Sequence, residues 1–369
     1  MGGGDQALIG TAPALDAQAC TRPDGRACTA CAAACPADAI LLVGEREPRL
    51  DVDACTGCGA CVPACPASAF SGAAITPVQL VARASGRRTT QVRCARAGAA
   101  EPRDRSESVA AVACLAGLDP EAVVAAAGRL ARGDSPAENA SRRVRGDSPD
   151  PAASGREGPE QPTVRFVHAD CASCAGGAPA LARRVMERTA ALLATVDGRV
   201  RIAEETVEPA TAPARTRRAR GGFTRRGVFA LRQTSALPEV SPDAPARALL
   251  RASYPQAPVP RVAVAASCTA CEVCSLTCPT RALSWRSRDG VAELILDAEA
   301  CTACGECARL CPEDVLTVTP DAAPPGPAII ARVAPGRCTR CRAVLAPGEG
   351  PRCTRCEAHA SFAADIFGA

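Results

Sequence analysis

Short apolar runs separated by helical patterns occupy residues 76–206, in the middle of the chain. Residues 89–93, 108–113 and 163–168 are rich in apolar or β-branched residues, a composition that favours strands. A fourth strand is predicted over residues 198–202. Strands that alternate with helices in this way predict a parallel α/β layer.

Helix-start signals lie between these strands. Thr76 and Gln79 have the spacing of a capping box, and Pro77 between them suits the first helical position. Asp119 begins a second predicted helix. The apolar face of that helix contains Val123, Val124, Ala127 and Leu130. A third helix is predicted over residues 179–194.

Further apolar runs predict strands near the two ends of the chain, at residues 40–43, 50–52, 282–285 and 315–318. Asp289-Gly290 lies between the third of these runs and the next apolar segment, and this dipeptide is typical of a tight hairpin turn. Each end of the chain therefore has the elements of a small sheet.

Composition argues against several classes of function. The chain has 369 residues and a net charge of +4, its 43 basic residues are all arginine, and aromatic residues make up 2%. The small charge and the sparse aromatic rings argue against a nucleic-acid-binding protein. The sequence contains no glycine motif for dinucleotides or phosphates, and its 2 histidines offer few general bases. An autonomous enzyme is therefore the weaker interpretation, and no catalytic residue is assigned.

The 24 cysteines follow the spacing of metal ligands. Over residues 268–279, and again over residues 301–312, three cysteines separated by two residues each precede a fourth cysteine that is followed by proline. This is the ligand pattern of bacterial [4Fe–4S] ferredoxins. A zinc or disulfide framework would not require two such complete runs. Residues 262–319 resemble the two-cluster ferredoxin family.

The resemblance implies a pseudo-symmetric βαββαβ unit with buried clusters, in which the fourth cysteine of each run ligates the cluster of the other run. One cluster would take the Cys268 set, which is Cys268, Cys271, Cys274 and Cys311. The second would take the Cys278 set, which is Cys278, Cys301, Cys304 and Cys307.

Residues 20–66 contain a second unit of this kind with one irregularity. Its later run is complete, but Gly25 occupies the position of the first ligand in the earlier run. We expect a longer loop to supply Cys20 instead. The Cys20 set is then Cys20, Cys28, Cys31 and Cys65, and the Cys35 set is Cys35, Cys55, Cys58 and Cys61. The alternatives are a three-iron cluster and a cluster with a non-cysteine ligand, either of which would change the reduction potential.

The middle segment contains four more cysteines, at the ends of predicted strands. These are Cys94, Cys114, Cys171 and Cys174. Because ligands gather at the carboxyl ends of parallel strands, the sequence predicts a fifth metal site there, either an iron–sulfur cluster or tetrahedral zinc. For Cys94 and Cys114 the alternative is that they are ordinary buried cysteines. The segment is also loosely similar to the small iron–sulfur subunit of methyl-viologen-reducing hydrogenases, which implies electron transfer beside a larger oxidoreductase.

The C-terminal tail contains two Cys-x2-Cys knuckles. They are formed by Cys338, Cys341, Cys353 and Cys356. The pair resembles a zinc ribbon, and a rubredoxin-type iron centre uses similar knuckles. The sequence therefore predicts a site of four thiolates for zinc or mononuclear iron.

The predicted fold class is α+β. Two ferredoxin-like dicluster modules, at residues 16–75 and 261–320, flank a small α/β domain at residues 76–206. A zinc-ribbon-like module is predicted over residues 330–360.

Two segments have the composition of solvated chain. Residues 131–162 are polar and of low complexity, and we expect a disordered insertion there. Residues 207–260 are rich in arginine, proline and alanine and are predicted to be a linker. The arginines of the linker could dock on an acidic partner, but a solvated segment is the simpler interpretation.

Together these patterns predict an electron-transfer protein with four [4Fe–4S] clusters, acting as a relay subunit or partner of a larger oxidoreductase. Two alternatives stay open: a redox-sensing module that binds nucleic acid or protein through the basic tail, and an enzyme with catalysis at the middle metal site. We expect redox proteins as partners, no nucleic acid and no membrane span. The N-terminal residues lack a signal-peptide pattern, so a cytoplasmic location is expected.

Overall fold

The computed structural model describes residues 10–24, 28–72, 75–130, 161–174, 176–210, 245–288, 291–323, 326–334, 336–343, 345 and 350–367. The chain divides into two compact units, Met1–Gln256 and Ala257–Ala369. Most of the predicted insertion and the linker residues 211–244 lie outside the described residues. Helices and strands are mixed in both units, which agrees with the predicted α+β class.

A small βαββαβ arrangement begins the first unit. Its elements are β1 (Ala14–Leu15), α1 (Ala30–Ala33), β2 (Ile40–Leu41), β3 (Arg49–Leu50), α2 (Cys61–Ala64) and β4 (Phe70–Ser71). β1 pairs antiparallel with β4, and β2 pairs antiparallel with β3. Ile40 and Phe70 are buried in one cluster with Cys31 and Cys61. Apolar packing therefore holds the two halves of the module around their cysteines.

A parallel sheet of four strands follows. The strands are β5 (Thr89–Cys94), β6 (Glu107–Val112), β7 (Thr163–His168) and β8 (Arg201–Thr206). They lie in the order β6-β5-β7-β8, and every neighbouring pair is parallel, as the sequence predicted. β8 begins later than predicted because the Asp197 carboxylate accepts a hydrogen bond from the Arg199 amide at 3.1 Å. That bond holds the residues before β8 in a turn.

The helices of this domain pack around one central helix. They are α3 (Pro77–Ala84), α4 (Pro120–Ala127) and α5 (Pro179–Val196). The predicted capping box starts α3: the Gln79 amide donates to Thr76 Oγ1 at 3.2 Å, and the Thr76 amide donates to Gln79 Oε1 at 3.3 Å. α4 contacts both other helices, and its residues from Ala122 to Ala127 are all buried.

A further helix, α6 (Ala246–Ser253), lies within the predicted linker but packs against α4 in the first unit. The Arg247 guanidinium pairs with the Glu121 carboxylate, and the Tyr254 hydroxyl donates to Asp197 Oδ2 at 3.0 Å. Residues 245–256 therefore extend the α/β domain. The linker composition gave no indication of this anchoring.

The second unit repeats the βαββαβ order and extends it. Its elements are β9 (Val259–Val264), α7 (Val273–Leu276), β10 (Leu283–Arg288), β11 (Val291–Asp297), α8 (Glu306–Arg309), β12 (Leu316–Ala323), β13 (Pro327–Val333) and α9 (Thr354–Phe367). β9 pairs antiparallel with β12, and β11 lies between β10 and β13. β10 and β11 pair antiparallel, in agreement with the predicted hairpin, whose turn residues Asp289 and Gly290 lie outside the described residues. β13 was not predicted.

On β11, Glu293 forms ion pairs with Arg286 and Arg332 of the two flanking strands.

One buried carboxyl group makes the stability of the first unit depend on pH. Asp119 caps α4, since its carboxylate accepts from the Glu121 amide at 2.8 Å. Burial, together with the charge of Glu121, raises the pKa of Asp119 to about 6. The folded protein therefore keeps a proton there that the unfolded chain has already released.

We expect this contribution to the stability of the first unit to fall as the pH rises from about 4 to about 6. Asp119→Asn keeps an oxygen for the helix cap but cannot ionise, so melting temperatures of this variant should depend less on pH across that interval. The measurement is thermal unfolding of both proteins at several pH values. Equal pH slopes for the two proteins would contradict the raised pKa.

Candidate metal centres

The eight cysteines of the first module form two groups of thiols. In the first group Cys20 and Cys31 both interact electrostatically with Cys28 and Cys65. In the second group, Cys58 and Cys61 both interact with Cys35 and Cys55. These groups coincide with the Cys20 set and the Cys35 set. Their use as ligands stays a prediction.

Both groups are costly to ionise without a cation. Burial, with added repulsion from neighbouring thiols, raises the pKa of Cys31 to about 11 and that of Cys61 to about 12. Bound iron would remove this cost, because a metal-coordinated thiol is deprotonated outright.

Arg22 holds the loop that carries Cys20. Its side chain is buried and donates hydrogen bonds to three backbone carbonyls, those of Cys28 at 2.6 Å, Arg46 at 3.0 Å and Gly44. Burial raises the pKa of Cys20, and the backbone amide and the charge of Arg22 oppose that rise. One arginine therefore fixes the loop and favours the thiolate form of Cys20.

The four cysteines that precede proline share one backbone conformation. The third residue after each of them has a positive φ: Asp38 at 49°, Ser68 at 52°, Arg281 at 56° and Asp314 at 51°. In three of the runs the amide of the next residue donates to the cysteine sulfur at 3.2–3.3 Å, from Ala39, Ala69 and Ala282. Residues other than glycine rarely adopt a positive φ, so its recurrence indicates that these N–H···S bonds matter to the site.

Two cavities of similar size lie among the cysteine loops of the second module. The Cys268 set lines a cavity of about 320 Å³, and the Cys278 set lines one of about 330 Å³. Each cavity has three cysteines from one run and the fourth from the other run. The cysteines are therefore grouped as the resemblance implied, and their use as ligands stays a prediction.

The indole of Trp285 tests whether the first of these cavities suits a cluster. Its Nε1–H group is buried and has no hydrogen-bond partner among the described residues. The nearby thiol is that of Cys274: burial raises its pKa to about 11, and the indole N–H opposes the rise. A buried donor without a partner is costly, and sulfur atoms of a bound cluster would accept from it. The cavity therefore fits a thiolate-ligated iron–sulfur group.

The four cysteines of the α/β domain line one cavity of about 370 Å³, here called the middle site. Cys94 ends β5, Cys114 follows β6, and Cys171 and Cys174 follow β7. The structure thus brings together the four residues that the sequence assigned to the carboxyl ends of the strands. Metal binding at the middle site stays a prediction.

The middle site has the electrostatics of a ligand set. Burial raises the pKa of Cys171 to about 11, and the charges of the other three cysteines add to the rise. Burial also raises the pKa of Cys114, opposed by the amides of Ala178 and Ala116. A methyl group on Gly177 would lie 2.8 Å from Cys174 Sγ, so the absence of a side chain there makes room for the sulfur.

A buried histidine connects the middle site to an exposed carboxylate. His168 Nδ1 lies 3.6 Å from Cys171 Sγ and 2.8 Å from the Ala169 carbonyl, and its Nε2 lies 2.8 Å from Glu204 Oε1. The sequence analysis assigned His168 no role. Its contact with Cys171 could have been suspected from the separation of three residues, whereas its contact with Glu204 could not, because Glu204 belongs to a different strand.

The middle site adjoins the first module within the first unit. The turn Leu115–Gly117 lies on the Cys58 loop, where a methyl group on Gly117 would meet the Cys58 carbonyl oxygen at 3.0 Å. The charge of Cys58 also acts on Cys114 and raises its pKa. The Cys35 set and the middle site are therefore neighbours.

The four cysteines of the tail approach one another far more closely. The sulfurs of Cys338, Cys341, Cys353 and Cys356 all lie within 4.8 Å of one another, with 3.6 Å between Cys341 and Cys353. Four thiolates around zinc are about 3.8 Å apart, since Zn–S bonds are about 2.3 Å long. The amides of Cys341 and Cys353 lower the pKa of Cys338 to about 6. The tail can hold a single metal ion.

The likeness to a zinc ribbon is limited to the two Cys-x2-Cys knuckles, since the second knuckle continues into α9.

Comparison with known families identifies the two cysteine-rich modules. Residues 25–69 and 267–315 match the 4Fe–4S dicluster domain. The chain is an iron–sulfur protein of the electron-transfer type. A search of curated proteins returned no match.

The match leaves several predicted features untested. It begins at residue 25, so Cys20 lies outside it, as do the middle site and the tail. The likeness to a hydrogenase subunit stays a prediction. None of the described helices is both long and apolar enough to cross a membrane.

Replacement of Cys20 tests the irregular ligand set. In Cys20→Ala we expect one cluster to lose an iron, giving the EPR signal of an oxidised three-iron cluster while the remaining clusters persist. Cys28→Ala, in the same set, should give the same change. An unaltered iron content and spectrum in Cys20→Ala would show that another group completes this cluster.

Proposed function

We propose that this protein relays single electrons between redox proteins through four [4Fe–4S] clusters, two in each module, and a fifth iron–sulfur cluster at the middle site. A bound cluster supplies a one-electron redox centre. The chain supplies the thiolate ligands, the N–H donors to sulfur and the separation between centres. We further propose a larger oxidoreductase as the partner and no nucleic-acid ligand.

The observation that carries this proposal is the series of three thiol sets in the first unit. The Cys20 set and the Cys35 set share the first module and exchange their fourth ligands, Cys35 and Cys65. Cys58 of the Cys35 set then acts electrostatically on Cys114 of the middle site. A series of adjoining redox centres is the arrangement that electron relay requires, whereas a protein that binds a metal only for stability gains nothing from it.

The spacing of its thiols favours a cluster at the middle site over a zinc ion. Its four cysteines line one cavity, as the Cys268 set and the Cys278 set do in the second module. Among the described residues, ligand atoms close enough for a single ion occur in the tail and are not found at the middle site. The four cysteines of the middle site surround a space instead of meeting at a point.

Zinc is the ion we propose for the tail. Its four sulfurs have nearly the spacing of a tetrahedral site, and structural sites of four cysteines are common for zinc. Such an ion would hold the first knuckle against α9. Its role would be structural, because zinc has no redox chemistry.

Metal analysis of the anaerobically purified protein tests the proposed function. Four cubes contain about sixteen irons, a cube at the middle site would add about four, and the tail would add about one zinc. We also expect reversible reduction with EPR signals of reduced clusters. Zinc without iron would refute the proposed electron relay. An iron content near sixteen would show that the middle site holds no cluster and takes no part in the relay.

Replacement of Gly177 tests the middle site without altering the other proposed clusters. In Gly177→Ala the new methyl group would crowd Cys174 Sγ, so we expect this variant to lose about four irons and to keep the rest. The control is Gly198→Ala, because a methyl group at Gly198 has no neighbour within 4 Å. Unchanged iron in Gly177→Ala, or equal loss in the control, would contradict a cluster at the middle site.

A further inference from the structure

The pseudo-symmetry of the modules is broken at one informative position. In each of the four cysteine runs, the residue seven positions after the cysteine that precedes proline occupies an equivalent place in the repeat. The four residues at this position are Leu42, Gly72, Trp285 and Val318. Trp285 has the only polar donor among these side chains, and it is the one tryptophan of the chain.

Trp285 and Val318 occupy matching positions at two otherwise similar cavities. Trp285 lines the cavity of the Cys268 set, and Val318 lines that of the Cys278 set. The cavity volumes are about 320 and 330 Å³, and the buried cysteines Cys274 and Cys307 are 6% and 8% exposed. Size and burial therefore do not distinguish the two sites.

Each set has an acid beside it, since the carboxylate of Glu313 acts on Cys268 and that of Glu306 acts on Cys304. The polar linings differ: Thr280 and Thr302, which carry hydroxyl groups, line the cavity of the Cys278 set, and Thr280 Oγ1 lies 3.7 Å from Cys278 Sγ. The cavity of the Cys268 set has the indole N–H of Trp285. That group is buried, lies beside Cys274 and has no hydrogen-bond partner among the described residues.

We propose that Trp285 sets a reduction potential: its indole N–H donates to sulfur in the cluster of the Cys268 set and raises the potential of that cluster above the value it would have without this donor. This rests on the proposed function in one respect, that both sets bind clusters.

The physical reason is charge. Reduction adds one electron to the cluster and breaks no bond, and the added negative charge is shared by the sulfur atoms. A buried hydrogen-bond donor stabilises the reduced form more than the oxidised form, which raises the reduction potential. An electron on the cluster of the Cys268 set would therefore be stabilised by an N–H donor that the equivalent side chains of the other three runs lack.

The test is a redox titration of the anaerobic full-length protein, followed by EPR. Trp285→Phe keeps an aromatic ring and removes the N–H. At a fixed potential we expect the ratio of reduced to oxidised cluster to fall about tenfold for one centre, which is a shift of about 59 mV downward for one electron. Val318→Leu is the matched comparison, since it alters the equivalent position at the other cavity without a polar atom, and any shift that it causes should be well below that of Trp285→Phe.

Iron content distinguishes the possible failures. If the parent protein lacks the irons of the second module, the proposed function fails, and the potential is irrelevant. If the parent is complete but Trp285→Phe loses iron, Trp285→Leu is titrated instead, since Leu42 is the equivalent residue in the first module. Full iron with an unchanged titration would overturn the role of Trp285. An equal shift in Val318→Leu, or loss of iron in both Trp285 variants, would also overturn it.

Discussion

Repulsion between ionised thiols held close together and out of water is the interaction on which this structure depends. Burial, reinforced by neighbouring cysteines, raises the pKa values of Cys61 and Cys307 to about 12, so neither thiol would ionise alone near neutral pH. Metal cations and N–H donors must supply the compensation. The positive φ of residues such as Ser68 serves this end, since it allows the next amide to reach sulfur. The cost of the strained backbone is thus offset by electrostatic stabilisation of the cysteine sulfurs.

The sequence was most informative where the ligands are close in the chain. Cysteines separated by two residues can meet around one cluster without any knowledge of the fold, and the parallel strands of the α/β domain were evident from alternation alone. Arg22 could not be found in this way. Its three acceptors belong to residues 28, 44 and 46, and a carbonyl group leaves no signature in a sequence. The anchoring of α6 to the first unit was obscured for a similar reason, because its partners Glu121 and Asp197 are distant in the chain.

The two modules differ in how they secure the same set of ligands. In the second module each run supplies three closely spaced cysteines, so the loop conformation follows from local sequence. In the first module Cys20 stands eight residues before Cys28, and the intervening loop needs an external constraint. The buried guanidinium of Arg22 provides it by donating to the carbonyl of Cys28, at the end of the loop, and to those of Gly44 and Arg46. In the proposed ligand set, this contact holds Cys20 in place although Cys20 lies outside the segment that matches the dicluster domain.

In the α/β domain the cysteines are brought together by the fold and not by a local motif. Consecutive cysteines of this set lie up to 57 positions apart in the chain, between Cys114 and Cys171. The hydrogen-bonded register of the sheet brings them together: β5 pairs with both β6 and β7, and the three strands end at a common edge. Since register fixes that edge, the length of chain between α4 and β7 has little effect on the site, and loop closure costs rise slowly with length. A long polar insertion at residues 131–162 is therefore compatible with a well-defined set of ligands.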